Sequence, residues 1–153
     1  MLAEQALGFS QSVDPPETVR FVLESGPISI REGLRGFFAL NLMAHLTEES
    51  RGSVQIVLAE VLNNVVEHAY AAFPGKIEVW VTRRETYLFV RIQDDGLPMP
   101  GGVLPGGQLG SSDDLPEGGF GWFLIRNLSH DLIYQRDNMR NMLSFCIGVD
   151  DLA

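Results

Sequence analysis

Glu60, Asn64 and His68 are spaced by four within the stretch LAEVLNNVVEHAY, residues 58–70. At about 100° per residue they share one face of a helix with Asn63 and Glu67, while Leu58, Leu62, Val65, Val66 and Ala69 fall on the other. An ordinary solvated face is built from Lys, Arg, Glu and Gln; Asn suits a helix less well, by more than ~0.5 kcal/mol against Ala. An Asn carbonyl is a neutral, hard oxygen that suits Mg²⁺ and adds no charge beside a phosphate. A glutamate one turn away is placed to orient or deprotonate a nucleophile. Taken alone, such a stripe is more often a solvated face. Ile56 and Val57, one turn earlier on the same side, make it read as the wall of a cleft.

A second constellation is RIQDDGLP, residues 91–98. Asp94 has the strand parity of Leu88, Val90 and Ile92, so it points to the buried face, while Asp95 points away. A buried carboxylate is costly unless hydrogen-bonded, and a ligand with an amino group, such as adenine, would satisfy it. Gly96 would let the backbone turn and approach a flat ring closely. The plain alternative is an Asp-Gly turn at a strand end. The third constellation is EGGFGWFLI, residues 117–125, where Gly118, Gly119 and Gly121 precede an apolar helical run. Backbone N–H groups at a helix start bind phosphate, although a flexible loop end would look the same.

Other chemistries fail on inventory. The histidines are His45, His68 and His130, and Cys146 is the sole cysteine, so no zinc spacing exists and no internal disulfide is possible. The glycines fit neither a Walker A loop nor a dinucleotide fingerprint, and there is no nucleophile elbow. Trp80 and Trp122 read as packing residues.

The elements that must position these residues follow from periodicity. A strand is expected at TVRFVLES (18–25), one helix over about 28–45, and a second over about 49–72 that carries the polar stripe. Two strands, KIEVWVT and YLFVRIQ, are joined by RRET as a hairpin connection. Residues 95–118 form a long segment rich in Gly, Pro, Ser and Asp without Lys or Arg, and such loops are usually functional. A helix over FGWFLIRNLS and a last hairpin, DLIYQRD with MLSFCIGV, complete the order. The expected class is α+β, with a mixed, mostly antiparallel sheet and helices on one face. Residues 1–17 are expected as a flexible lead-in and 18–153 as a single domain.

With 153 residues, 45% hydrophobic and 20% charged, the chain has globular composition. A net charge of −9 argues against nucleic acid or an anionic membrane as a partner. The N-terminus has no basic start or apolar run of signal-peptide length, so a cytoplasmic protein is expected.

The order and spacing of the three constellations resemble the GHKL ATPase superfamily. EVLNNVVEHAY is similar to its N box in the form used by anti-sigma-factor serine kinases: Glu, Asn four on, then His and Tyr. DDGLP resembles its first glycine box, with Pro98 where many relatives have Gly. GGFGWFLIRNLSHDLIY resembles the second, running on into NMLSF, which is similar to the family's final strand. The resemblance spans about residues 18–149. It implies a Bergerat-type two-layer α/β sandwich that binds ATP and Mg²⁺ beneath a lid at 97–117. Glu60 matches the catalytic base, and Asn64, with His68 near it, the Mg²⁺ ligand of the ATP site. Asp94 matches the adenine-reading carboxylate with Gly96 beside it, and Gly119 and Gly121 the phosphate-side glycines. The lid has no Lys or Arg, and Arg126 is the nearest cation to stand against a γ-phosphate. The implied activity is a serine/threonine kinase that phosphorylates a STAS-type anti-anti-sigma protein and binds a sigma factor. The alternative is a nucleotide-gated binding module. Relatives often dimerise, so a homodimer is one expected state.

Overall fold

Alternation decides the first strand. In β1, Glu17–Glu24, the side chains of Val19, Phe21 and Leu23 turn to the core and those of Thr18, Arg20 and Val22 to solvent. The computed structural model describes residues 17–106 and 119–153. All of the expected lead-in except Glu17, and residues 107–117 of the expected lid, lie outside the described residues, as does Gly118. After β1 come helix α1, Pro27–Phe38, a single turn α2, Asn41–Ala44, and the long helix α3, Glu48–Asn64, which continues as a π-helical turn, Val65–Ala69. Strands β2, Lys76–Arg84, and β3, Tyr87–Asp94, precede a short 3₁₀ turn at Pro100–Gly102. Helix α4, Gly119–Leu128, then leads to β4, His130–Asp137, and β5, Arg140–Gly148.

Among the described residues the sheet order is β1-β2-β3-β5-β4, and all four pairings are antiparallel. These described strands make an antiparallel sheet, within the mostly antiparallel α+β class that was expected. The helical excursion between β1 and β2 leaves and returns at the same end of the sheet. There Ser25 N donates to Gly75 O (2.9 Å) and Gly75 N to Ser25 Oγ (2.9 Å), so β2 must run back along β1. The helices cover one face. Ile77, Val79 and Val81 of β2 and Leu88, Val90 and Ile92 of β3 are buried beneath α3, whose Val54, Val57, Leu58, Val61 and Leu62 complete the core. Each such side chain contributes about 1.5–3 kcal/mol. The other face is open, with Phe89 and Ile133 exposed. Among the described residues no helix is long and apolar enough to cross a membrane.

Three boundaries differ from those read in the sequence. The helix expected over 28–45 breaks at Ala39 and Leu40. The Arg51 guanidinium takes Phe38 O (3.3 Å) and Met43 O (2.6 Å), capping both pieces. The helix expected to reach residue 72 ends at Ala69, for reasons that belong to the site. The RRET connection is shorter, because Arg84 and Tyr87 already pair and only Glu85 and Thr86 turn.

Candidate functional site

Helix α3 is capped by Thr47, whose hydroxyl accepts from Ser50 N at 3.2 Å, and it presents Glu60 and Asn64 of its polar stripe to α4, while Asn63 and Glu67 are exposed. Asn64, its last residue, is only 9% exposed, and its Nδ2 is the buried side-chain polar atom without a partner among the described residues. A native structure seldom leaves such a group unpaired except where something else binds. Among the described residues no hydrogen bond fixes which end of this amide faces the cleft, so the oxygen can be presented as well as the nitrogen. Glu60, one turn earlier and half-buried, meets the same neighbour. A Cβ on Gly121 would lie 2.6 Å from Glu60 Oε1 and 3.9 Å from Asn64 Nδ2. The missing side chain of Gly121 lets α4 close onto the stripe. Gly119 opens α4 two residues earlier.

Where α3 ends, the chain makes a π turn, a rare form that is frequent at functional sites. Tyr70 N bonds Val65 O (3.0 Å), while the Tyr70 phenol donates to Lys76 O (2.6 Å) and accepts from Asp95 N (2.9 Å). The Ala69 carbonyl is taken by Leu97 N at 2.7 Å. With Tyr70 held to the sheet and the last carbonyl occupied, the helix cannot continue to residue 72. The turn carries His68, exposed at the rim of a cleft that Asn64 and Asp94 also line.

Asp94 ends β3 with the inward parity expected of it and is 5% exposed. Its Oδ1 accepts from Gly96 N (2.9 Å) and Asn141 Nδ2 (2.8 Å), and among the described residues no donor reaches Oδ2. Burial pushes the carboxyl above its usual range, against the pull of Asn141, Gly96 and the more distant Arg136. A carboxyl whose folded pKa lies above its unfolded value favours the native state at low pH and penalises it above the folded pKa. Asp94→Asn keeps an oxygen for both donors and removes that penalty. The variant is therefore expected to match or exceed the wild type in ligand-free stability at about pH 7. Its advantage should shrink as pH falls through the raised pKa and close below the unfolded value of 3.8. Thermal melts across that range check this, and an Asn variant less stable than the wild type at neutral pH would contradict it.

Gly96 has a packing role beside the expected approach to a flat ligand. A Cβ there would lie 2.3 Å from Ala69 O and 2.6 Å from Ala69 C, so the glycine admits the carbonyl that ends the π turn.

Sequence reasoning missed Asn141, Tyr134 and Arg136. Asn141 faces Asp94 across the β3–β5 ladder and is fully used. It donates to Asp94 and to Leu97 O (2.8 Å), and accepts from Tyr134 OH (2.6 Å) and Arg136 (2.8 Å). Arg136 also holds Gly96 O (2.9 Å), and Tyr134 OH accepts from Met99 N (3.0 Å). Together they fix the chain from Gly96 to Met99 over the cleft. The signal for Asn141 was its parity with Leu143, Phe145 and Ile147, the same test that placed Asp94. Arg126 is not brought to the cleft. It is exposed, and its Nε donates to Pro105 O at 2.9 Å.

Among the described residues no cluster of three or more His, Cys, Asp or Glu could cage a metal. The residues present fit a cation that brings most of its own oxygens and needs one neutral protein ligand, as a phosphate-bound Mg²⁺ does, with the orphaned Asn64 amide in place to supply it.

No curated protein matches the chain. A family model described as the histidine kinase-like ATPase domain matches residues 23–147. That span contains the polar stripe, the Asp94 floor and the Gly119–Gly121 helix start. It contains β2, β3 and β4 whole, nearly all of β5 and the end of β1, and the chain belongs to the histidine kinase-like ATPase domain family.

Proposed function

We propose that this protein binds Mg·ATP in the cleft and acts as a serine/threonine kinase on a STAS-type anti-anti-sigma protein, with a sigma factor as a second partner. The observation that carries this reading is that Glu60 and Asn64 meet at Gly121 beside the Asp94–Asn141 floor. Asp94 Oδ2, the oxygen left without a protein donor, accepts from the adenine amine. The Asn64 amide oxygen holds Mg²⁺, and the start of α4, at Gly119 and Gly121, lies toward the phosphates. His68 lines the rim, and Glu60 orients a seryl or threonyl hydroxyl. The cation would supply charge neutralisation on the transferring phosphate.

One observation favours a second reading, a nucleotide-gated binding module with little transfer. The 97–117 segment has no Lys or Arg, and Arg126 is occupied with Pro105.

Incubation with labelled Mg·ATP and purified STAS-domain proteins separates the two. Label on a Ser or Thr of one STAS protein is expected. Nucleotide-dependent binding without label would establish the module instead, and neither would sink both. In calorimetry, Asp94→Asn is expected to lose a charged hydrogen bond worth about 1.5–3 kcal/mol. That is roughly a 10- to 100-fold loss of ATP affinity. An intact variant with wild-type affinity would move adenine recognition elsewhere.

A further inference from the structure

A second groove lies on the outside of the helical layer, between α1 and α3. Its floor is apolar: Ile30 and Leu34 are buried and Phe38 is half-buried. Arg31, Arg35 and Arg51 stand on the α1 side and at the base, the neutral amides of Gln55 and Asn63 stand opposite, and among the described residues no carboxylate lines it. The whole chain has 20 acidic and 11 basic residues, so three cations on one carboxylate-free groove invert the local charge. Arg51 is committed to Phe38 O and Met43 O. Arg31 and Arg35, one turn apart on α1, are exposed, and neither has an ion-pair or hydrogen-bond partner among the described residues. Arg35 lies in the last turn, where a cation complements the helix dipole; Arg31 has no such role.

An apolar floor with two free guanidinium forks and facing amides suits an amphipathic segment that carries carboxylates. Its apolar side would cover Leu34 and Phe38, and its acids would reach Arg31 and Arg35 in bidentate geometry. The groove adjoins the cleft through one helix, because Ala59 and Asn63 immediately precede Glu60 and Asn64. A partner seated there lies one helix face from the carboxylate. We infer that the α1–α3 groove docks an acidic amphipathic segment of the protein partner on which the Glu60 site acts. This rests on the kinase reading of that site.

The test uses the full chain with Arg31→Glu and Arg35→Glu together, both exposed, and the same purified STAS-domain proteins and sigma factors as probes. The STAS protein that binds the wild type is expected to bind the double variant about 10- to 100-fold more weakly, mainly through slower association, and wild-type binding should weaken with salt; a loss seen only with a sigma factor would overturn the assignment to the substrate. Arg31→Lys with Arg35→Lys keeps the charge and loses the bidentate fork, so its affinity should fall between that of the wild type and that of the charge-reversed variant. A double variant that binds as tightly as the wild type overturns the proposal, as does a panel in which nothing binds. A loss confined to anionic phosphatidylglycerol vesicles or to duplex DNA would assign the cations to those ligands and also overturn it. Calorimetry with Mg·ATP on the same proteins keeps the two readings apart. Nucleotide affinity should stay within about twofold in the variant, and a wild type that gives no heat fails the nucleotide reading while the charge-reversal comparison still decides the groove.

Discussion

Glu60→Gln is expected to keep nucleotide affinity within a few-fold of the wild type and, on the proposed kinase reading, to lower phosphoryl transfer to a STAS substrate by roughly 10²- to 10⁴-fold. The expectation rests on what the substitution leaves in place. Gln has the shape of Glu, so the contact with Gly121 and the approach of α4 to α3 survive. Only the charge and the basicity are removed. A general base acts on the nucleophile and need not add to ground-state binding, so rate and affinity should separate. Asn64→Ala should behave in the opposite way. On the proposed reading it would remove a metal ligand and weaken Mg·ATP binding itself, and it also deletes a buried amide without a partner among the described residues, so ligand-free stability should hardly fall. Measuring both variants by calorimetry and by single-turnover transfer gives four numbers. If Glu60→Gln transfers at the wild-type rate, the base is not Glu60. If it loses affinity and rate together, Glu60 acts through the seating of α4 and is a positioning residue.

The sequence carried the inward parity of Asp94, the polar stripe on α3 and the order of the strands, because each depends on a local period of two or 3.6 residues. It did not carry the features that arise when two elements meet. The break at Ala39 has no local signal such as proline; it is imposed by Arg51, twelve residues on, capping two carbonyls. The early end of α3 is imposed by Tyr70 reaching strand ends on either side, a contact across the sheet edge. Asn141 was within reach of the parity test, yet its importance appears only when the β3–β5 register sets it opposite Asp94. Gly121 was read as a phosphate-side glycine. What the fold adds is that its bare Cα is also where the two polar residues of α3 converge.

Gly96 makes the same point with the largest stability effect. Gly96→Ala should destabilise the fold by about 2–4 kcal/mol, combining overpacking with strain on a neighbouring hydrogen bond. For a chain of this size that lowers Tm by roughly 4–16 °C. The added Cβ would lie 2.3 Å from Ala69 O, 2.6 Å from Ala69 C and 2.7 Å from Ala69 Cβ, and no side-chain rotation relieves contacts with backbone. The π turn would have to move away, and Leu97 N would lose its 2.7 Å bond to Ala69 O. That shift would carry His68 and Asn64 away from Asp94, so nucleotide affinity should fall even though none of the three is altered. Gly52→Ala is the control. It lies inside α3 with no atom within 4 Å of the added Cβ, so it should stabilise the protein by about 0.4–1 kcal/mol and leave affinity unchanged. Chemical denaturation of the two variants checks both signs. A Gly96→Ala protein with the wild-type midpoint would mean that the end of the π turn yields freely, and the distance between Asn64 and Asp94 would then have to be set by α4 and the Asn141 network alone.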